Sequence, residues 1–235
     1  MTISVRLFPQ SFVQLTSPQA VVYIDPSITN SMGDVIRSML PWPKGRSVPE
    51  GMPAGDLILA SHHHADHLDN GMILQLRGES TKAVGPAKCI KKLGPGATVV
   101  KAGDSVSHHD VVVRAVEAYN PSGSRGMIYH RKGECIGFVI EVDGRRIYHA
   151  GDTGLIEEMD SLGAIDLAFL PIGGKFTMDI DEAVEAVKRI RPTLVIPMHL
   201  MQADPEEFKK KVENETTSNV TVLSPARLWV SDAHS

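Results

Sequence analysis

Residues 61–67 read SHHHADH and follow directly on the apolar run DLILA at 56–60. Four of the chain's ten histidines fall in these seven positions. The cluster is internal and is interrupted by Ala65 and Asp66, unlike the terminal homopolymer of an expression tag. If DLILA is a strand, its period-two alternation carries past its end, so His62 and His64 point to one side and His63 to the other. Two imidazoles then converge on one ion. Asp66 and His67 follow where the chain turns into the next element, and reach a second position nearby. Imidazole nitrogen together with carboxylate oxygen suits a borderline cation such as zinc.

Outward from the cluster, AVVYID (20–25) reads as a strand halted by Asp25-Pro26. The stretch 41–55 is rich in Pro and Gly and reads as a loop. Leu68, Met72, Ile73 and Leu76 stand near helical spacing, with Gly78 as a stop. A strand at 83–85, a short helix at 86–93 and a strand at 97–100 are expected next. VVVRAVEAY (111–119) suits antiparallel pairing. Asp143-Gly144 lies between alternating runs and predicts a hairpin of Cys135–Val142 with Arg145–Ala150. The last third alternates strand 165–171, helix 179–192, strand 193–199 and helix 204–213. The last helix is capped by Asp204 and begins with Pro205.

Two more candidate ligands stand at strand ends. Asp152 follows IYHA in the turn HAGDTG, and His199 ends VIPMH. Each alone is weak, since an Asp in such a turn is commonly a cap and a lone His is commonly packed. Together with HxHxDH they give six ligating groups at strand ends.

Composition narrows the classes. A net charge of −4 and an isoelectric point near 6.2 argue against a nucleic-acid binder. Two cysteines, Cys89 and Cys135, lie in unrelated contexts, so no disulfide framework is expected and a reducing cytoplasm is the simplest setting. No signal peptide is read at the N-terminus, and no segment reaches the ~18 apolar residues of a membrane span. The length fits one domain over 1–235.

HxHxDH at 62–67, GDT at 151–153 and PMH at 197–199, in that order, resemble the metallo-β-lactamase fold superfamily. The strings IYHAGDT, FLPIGGKFTMD and VIPMHL are most similar to its branch of metal-dependent hydrolases that includes L-ascorbate-6-phosphate lactonase. The resemblance implies an α/β fold, an αββα four-layer sandwich of two mixed sheets flanked by helices, with two divalent cations at one sheet edge. Zinc is the first expectation, with manganese or iron(II) as alternatives. His62 and His64 are implied for the first ion, Asp66, His67 and His199 for the second, and Asp152 as the bridge. One position departs from the pattern. The third histidine of the first ion is expected near EAYNPSG, where Asn120 stands. Either the first ion has only His62, His64 and Asp152, with Asn120 holding a water, or His130, ten residues on, completes it.

Such a centre, with a metal-bound hydroxide, would open a lactone, amide or phosphoester, and its residual positive charge favours a small anionic substrate. Lys175, after the glycines of PIGGK, is expected in an anion pocket and, with Asp66 and Asp152, among the catalytic groups. Arg125, His130, Arg131 and Lys132 make one loop basic, although charge runs are usually just solvated. His149 is either a packed side chain or a partner that orients Asp152. His108 and His109 are read as a polar turn without a role. The alternatives are a nuclease or phosphodiesterase, disfavoured by the acidic balance, and a metal-binding regulatory protein without turnover, favoured only by Asn120. The substrate, the bond cleaved and homo-oligomerisation stay open.

Overall fold

The computed structural model describes residues 3–28, 47–124, 126–224 and 228–230. Arg125 and residues 41–46 of the Pro/Gly-rich stretch lie outside them. Two seven-stranded sheets face each other. The first contains β1 (Ser4–Leu7), β2 (Val13–Thr16), β3 (Val21–Ile24), β4 (Gly55–Leu59), β5 (Arg77–Gly85) and β6 (Thr98–Val99), and a final strand, β14 (Leu228–Val230), pairs with β1. The second contains β7 (Ser105–His108), β8 (Val111–Ala118), β9 (Cys135–Val142), β10 (Arg145–His149), β11 (Leu167–Pro171), β12 (Leu194–Met198) and β13 (Asn219–Val220). Each sheet is mixed. β3 to β6 run parallel in the first, and β10 to β13 in the second.

Alternation decides which side chains enter which layer. Val22, Ile24, Leu57 and Leu59 join the core between the sheets. Tyr23 and Ile58 turn the other way, onto α1 (Asn70–Leu76) and α2 (Ile90–Leu93), with Met72, Ile73 and Leu76. Each side chain buried this fully contributes about 1.5–3 kcal/mol. α3 (Ile180–Ile190) covers the second sheet through Ala183, Val184, Val187 and Ile190, and α4 (Pro205–Glu215) packs beside it through Phe208 and Val212. The layers are therefore helix, sheet, sheet, helix, as the resemblance implies.

Local chemistry accounts for the boundaries. α3 opens with a capping box between Asp179 and Glu182, and α4 with Asp204 and Pro205. Asp143 (φ 50°) and Gly144 (φ 71°) are both left-handed, the condition of the hairpin turn that joins β9 and β10. Three expectations need correction. α1 stops at Leu76 and the chain passes through Gly78 as part of β5, which is nine residues long and not confined to 83–85. β1 and β2 precede the first strand read from sequence. His108 ends β7, and only His109 lies in the turn. Among the described residues no helix is long and apolar enough to cross a membrane.

Candidate metal centre

The site lies where strands of one direction end. β3 and β4 are parallel and deliver Asp25 and residues 61–67. β8 and β10 are both antiparallel to β9 and deliver Asn120 and Asp152, while β11 and β12 deliver the 173–177 loop and His199. After β4 the chain makes one helical turn, with His67 N and Leu68 N donating to His64 O. Ser27 Oγ donates to Ala65 O, and Lys92 Nζ donates to His63 O and Leu68 O. These bonds pin the segment from outside, so its side chains are oriented before any ion binds.

Two triads result. Ligating atoms of His62, His64 and His130 all lie within 4.8 Å of one another, as do those of Asp66, His67 and His199. Asp152 sits between them: Oδ2 is 3.3 Å from His130 Nε2 and 3.4 Å from His199 Nε2, and Oδ1 is 3.1 Å from His67 Nε2. These separations are close enough for ion pairs, yet the His62, His67 and His199 Nε2 atoms and Asp152 Oδ1 are buried with no aligned hydrogen-bond partner. Buried polar atoms are almost always paired. Atoms that crowd together without pointing at each other point at shared places between them, which is what cations with imidazole and carboxylate ligands require.

His130, and not Asn120, clusters with His62 and His64. Asn120 N donates to His130 O (2.9 Å), closing the loop that returns His130 to the site. Asn120 Nδ2 donates to Phe176 O (2.6 Å) and stands 3.1 Å from His130 Nδ1. Asn120 thus braces the rear of the imidazole, on the opposite side from Nε2. His130 Nδ1 is also 3.1 Å from Phe176 O, which accepts its proton, while His130 Nε2 faces His64 Nδ1 at 3.2 Å.

Asp25, read from sequence only as a strand stop, is the group sequence reasoning missed. Its Oδ1 accepts from Ser61 N, and its Oδ2 accepts from Ser61 Oγ, all at 2.6 Å, and from His67 Nδ1 at 2.7 Å. The single Ser61 proton goes to Asp25, so Ser61 Oγ can only accept from His62 Nδ1, 2.9 Å away. One carboxylate therefore sets the Nδ1–H tautomer of a histidine in each triad. Asp25 is within reach of His62 and His67 as a potential ligand, but both its oxygens are already committed to these donors.

The sequence profile described as Beta-lactamase superfamily domain matches residues 5–199, from β1 to the last site histidine. A UPF0173 metal-dependent hydrolase of Pelotomaculum thermopropionicum is 36% identical over 219 residues, covering 87% of this chain and 90% of its own. The chain belongs to the UPF0173 metal-dependent hydrolases of the metallo-β-lactamase superfamily. A second such relative, from Thermococcus onnurineus, is 34% identical over 238 residues and covers 96% of this chain and 98% of its own. Igni18, a metallo hydrolase of Ignicoccus hospitalis, superposes with a TM-score of 0.75 at 26% identity over 100% of both chains. The metallo-beta-lactamase fold protein YhfI of Bacillus subtilis reaches 0.73 at 14% identity over 98% of this chain and 99% of its own, a likeness of fold alone.

The remaining candidates of this UPF0173 hydrolase fall outside the two triads. Lys175 is exposed, with Nζ 5.2 Å from the centre of the Phe176 ring and no ion pair among the described residues. Lys132 is tied to Glu158 at 2.6 Å, and Arg131 is exposed. His63 is half-buried and belongs to neither triad, with its ring centre 4.9 Å from that of His64. His149 is buried: Nε2 donates to Ser11 O (3.0 Å) and Nδ1 accepts from Gly151 N (3.2 Å). It holds the turn before Asp152 against the opposite sheet without touching Asp152. Gly151 is obligatory there, because at φ 63° a Cβ would stand 2.9 Å from Ile136 O.

Burial pushes His64 down to about 4 and His62 well below its ordinary value, with neighbouring imidazoles adding to both. Burial would lower His67 and His199 too, but Asp152 with Asp25 or Asp66 outweighs it and raises both. Burial would raise Asp66 and Asp152, yet His199 and His67 hold both well below the carboxylate range. The two pairs of histidines act in opposite senses on the metal-free hydrolase. Below the ordinary value of 6.5 the unfolded chain takes protons that folded His62 and His64 refuse, so stability falls as pH drops towards 4. Above 6.5 the unfolded chain releases protons that folded His67 and His199 keep, so stability also falls as pH rises. The melting temperature of chelated protein should therefore peak near pH 6.5, and a monotonic rise from pH 5 to 9 would contradict this charge assignment. Added metal displaces the alkaline-side protons, so its stabilisation should grow with pH.

Proposed function

We propose that the protein is a hydrolase with a dinuclear centre, acting on a lactone, amide or phosphoester of a small anionic substrate. His62, His64 and His130 would hold one cation, Asp66, His67 and His199 the other, and Asp152 would bridge them. Zinc fits this donor set, and iron(II) or manganese is compatible with it. The observation that carries the reading is the set of buried, unpartnered Nε2 and Oδ1 atoms around Asp152. When bound, the cations supply a hydroxide nucleophile by lowering the pKa of water from ~16 to about 7, and they polarise the electrophilic oxygen.

The protein's own groups do the rest. Asp25 and Ser61 keep His62 and His67 as Nδ1–H tautomers, so no reorganisation is needed on loading. The Asp152 side chain, 3% exposed, is closed to solvent, whereas that of Asp66, 20% exposed, is reachable by solvent. Lys175, free of ion pairs among the described residues, gives the 173–177 loop a cation for the substrate's anionic group. The clustering of His130 with His62 and His64 supports turnover over the alternative of a metal-binding protein without it.

Two measurements test the reading. Elemental analysis of the purified protein should give about two equivalents of divalent metal, and chelation should lower the melting temperature and stop turnover together. One equivalent at full activity would exclude the dinuclear mechanism. A screen of the metal-replete protein against sugar lactones, acylated lactones, amides, phosphodiesters and β-lactams should find activity in one class.

A further inference from the structure

Seven large hydrophobic side chains are exposed among the described residues: Leu74, Val99, Val112, Met127, Ile128, Tyr129 and Met201. Four of them lie within three residues of a site histidine. Met127 (38% exposed), Ile128 (64%) and Tyr129 (48%) run directly into His130, which is 1% exposed, and Met201 lies two residues after His199. Scattered exposed hydrophobics need no explanation, but a continuous strip leading to convergent polar groups has the composition of a ligand-binding wall.

The strip is built, not merely extruded. The Tyr129 ring packs edge-on against Phe176 at 4.9 Å, and the Phe176 carbonyl accepts from Asn120 and faces His130 Nδ1. Tyr129 N donates to Gly126 O, and Gly126 (φ 85°) lies where a Cβ would stand 2.9 Å from the Phe176 backbone. The same contacts that seat His130 thus fix the strip beside it. A separate cavity of about 270 Å³ is lined by Leu7, Phe8, Pro9, Leu200 and Met201 together with His199. Of the cations of this loop region, Lys175 lies over Phe176, Lys132 is occupied by Glu158, and Arg131 is exposed.

We infer that the substrate carries an apolar acyl or aryl group on the carbonyl under attack, and that this group lies along Met127, Ile128 and Tyr129. The inference rests on the hydrolytic reading above and narrows it to carboxylic esters, lactones and amides. Water's oxygen bonds to the carbonyl carbon, the C–O or C–N bond breaks, and the alcohol or amine leaves with the proton. The apolar acid is the product. The strip adjoins the metal centre through His130, which is why a substrate group is its occupant and a second copy of the chain is not.

The test uses the metal-replete full chain and unbranched acyl esters of one alcohol, from acetate to octanoate. A buried methylene is worth about 0.8 kcal/mol, so kcat/KM should rise about two- to fourfold per added methylene. Calorimetric titration should show octanoate binding and acetate not. In Ile128→Ser/Tyr129→Ser, checked for unchanged metal content and melting temperature, both the chain-length dependence and octanoate binding should flatten. A flat wild-type series, or a double variant with the wild-type dependence, overturns the inference while leaving the hydrolytic reading intact. If no ester is hydrolysed but octanoate binds the wild type and not the variant, the wall stands and the carbonyl-hydrolysis reading fails. Dissociation of a dimer by Ile128→Ser, with a flat series, assigns the strip to self-association and overturns the inference.

Discussion

Asp152→Ala should abolish turnover and empty both proposed metal positions. Its carboxylate faces both triads: Oδ2 lies against His130 and His199, and Oδ1 against His67. If Asp152 bridges two cations as proposed, removing it takes a ligand and a negative charge from each at once. Loss of one preorganised electrostatic group typically costs about 10²–10³-fold in rate. A bridge between two cations should exceed that, and the bound metal should fall from about two equivalents to below one. The fold should survive, because the opposing effects on stability partly cancel. A buried carboxylate with an unaligned oxygen is removed, while His67 and His199 lose the partner that raises their pKa. Circular dichroism should be unchanged, and the alkaline loss of stability in the metal-free protein should weaken. Two retained equivalents, or turnover within tenfold of wild type, would show that Asp152 is not the bridge.

The part of this site that was legible in sequence is the part governed by local geometry. His62, His64, Asp66 and His67 follow an apolar strand, and alternation assigns their sides without any knowledge of the fold. Asp152 and His199 were found because each ends a recognisable strand. His130 was legible only as an alternative to Asn120, since its place depends on a loop closing on itself through Asn120 N and His130 O. No hydrophobic period encodes that closure. Lys175 shows the complementary limit: glycines after a strand suggest a loop near the site but do not say where a long side chain goes. β1 and β2 are four residues each, and their pairing with each other and with β3 supplies the signal that their length does not.

Asp25 shows the same limit at the site's centre. As an Asp-Pro dipeptide it is fully explained by the end of a strand, so nothing in the sequence asks for a second role. That role comes from parallel pairing: Ile24 is opposite Leu59, and Asp25 N donates to Leu59 O, which brings the carboxylate to Ser61 across 36 positions. The conformation supports a constrained position, since Asp25 is fully buried with φ at 51°.

Asp25→Ala should therefore destabilise the fold itself. Three buried donors lose their acceptor, each costing about 1–3 kcal/mol, and alanine tolerates the left-handed backbone less well than aspartate. Asp25→Asn separates positioning from stability, because asparagine fits that backbone and keeps a carbonyl oxygen for Ser61 N. Its amide nitrogen replaces the oxygen that faces Ser61 Oγ and His67 Nδ1. Ser61 Oγ then accepts from the amide and turns its proton to His62 Nδ1, and His67 Nδ1 becomes an acceptor as well. Both imidazoles move their proton to Nε2, the atom each offers to the cluster. Metal affinity should fall about 10–100-fold in both positions while the melting temperature of the metal-free protein changes little. Nitrogen chemical shifts of labelled histidine should report the change of tautomer in His62 and His67. Wild-type metal affinity in Asp25→Asn would mean that the tautomers are set elsewhere and that the Asp25–Ser61 relay only stabilises the fold.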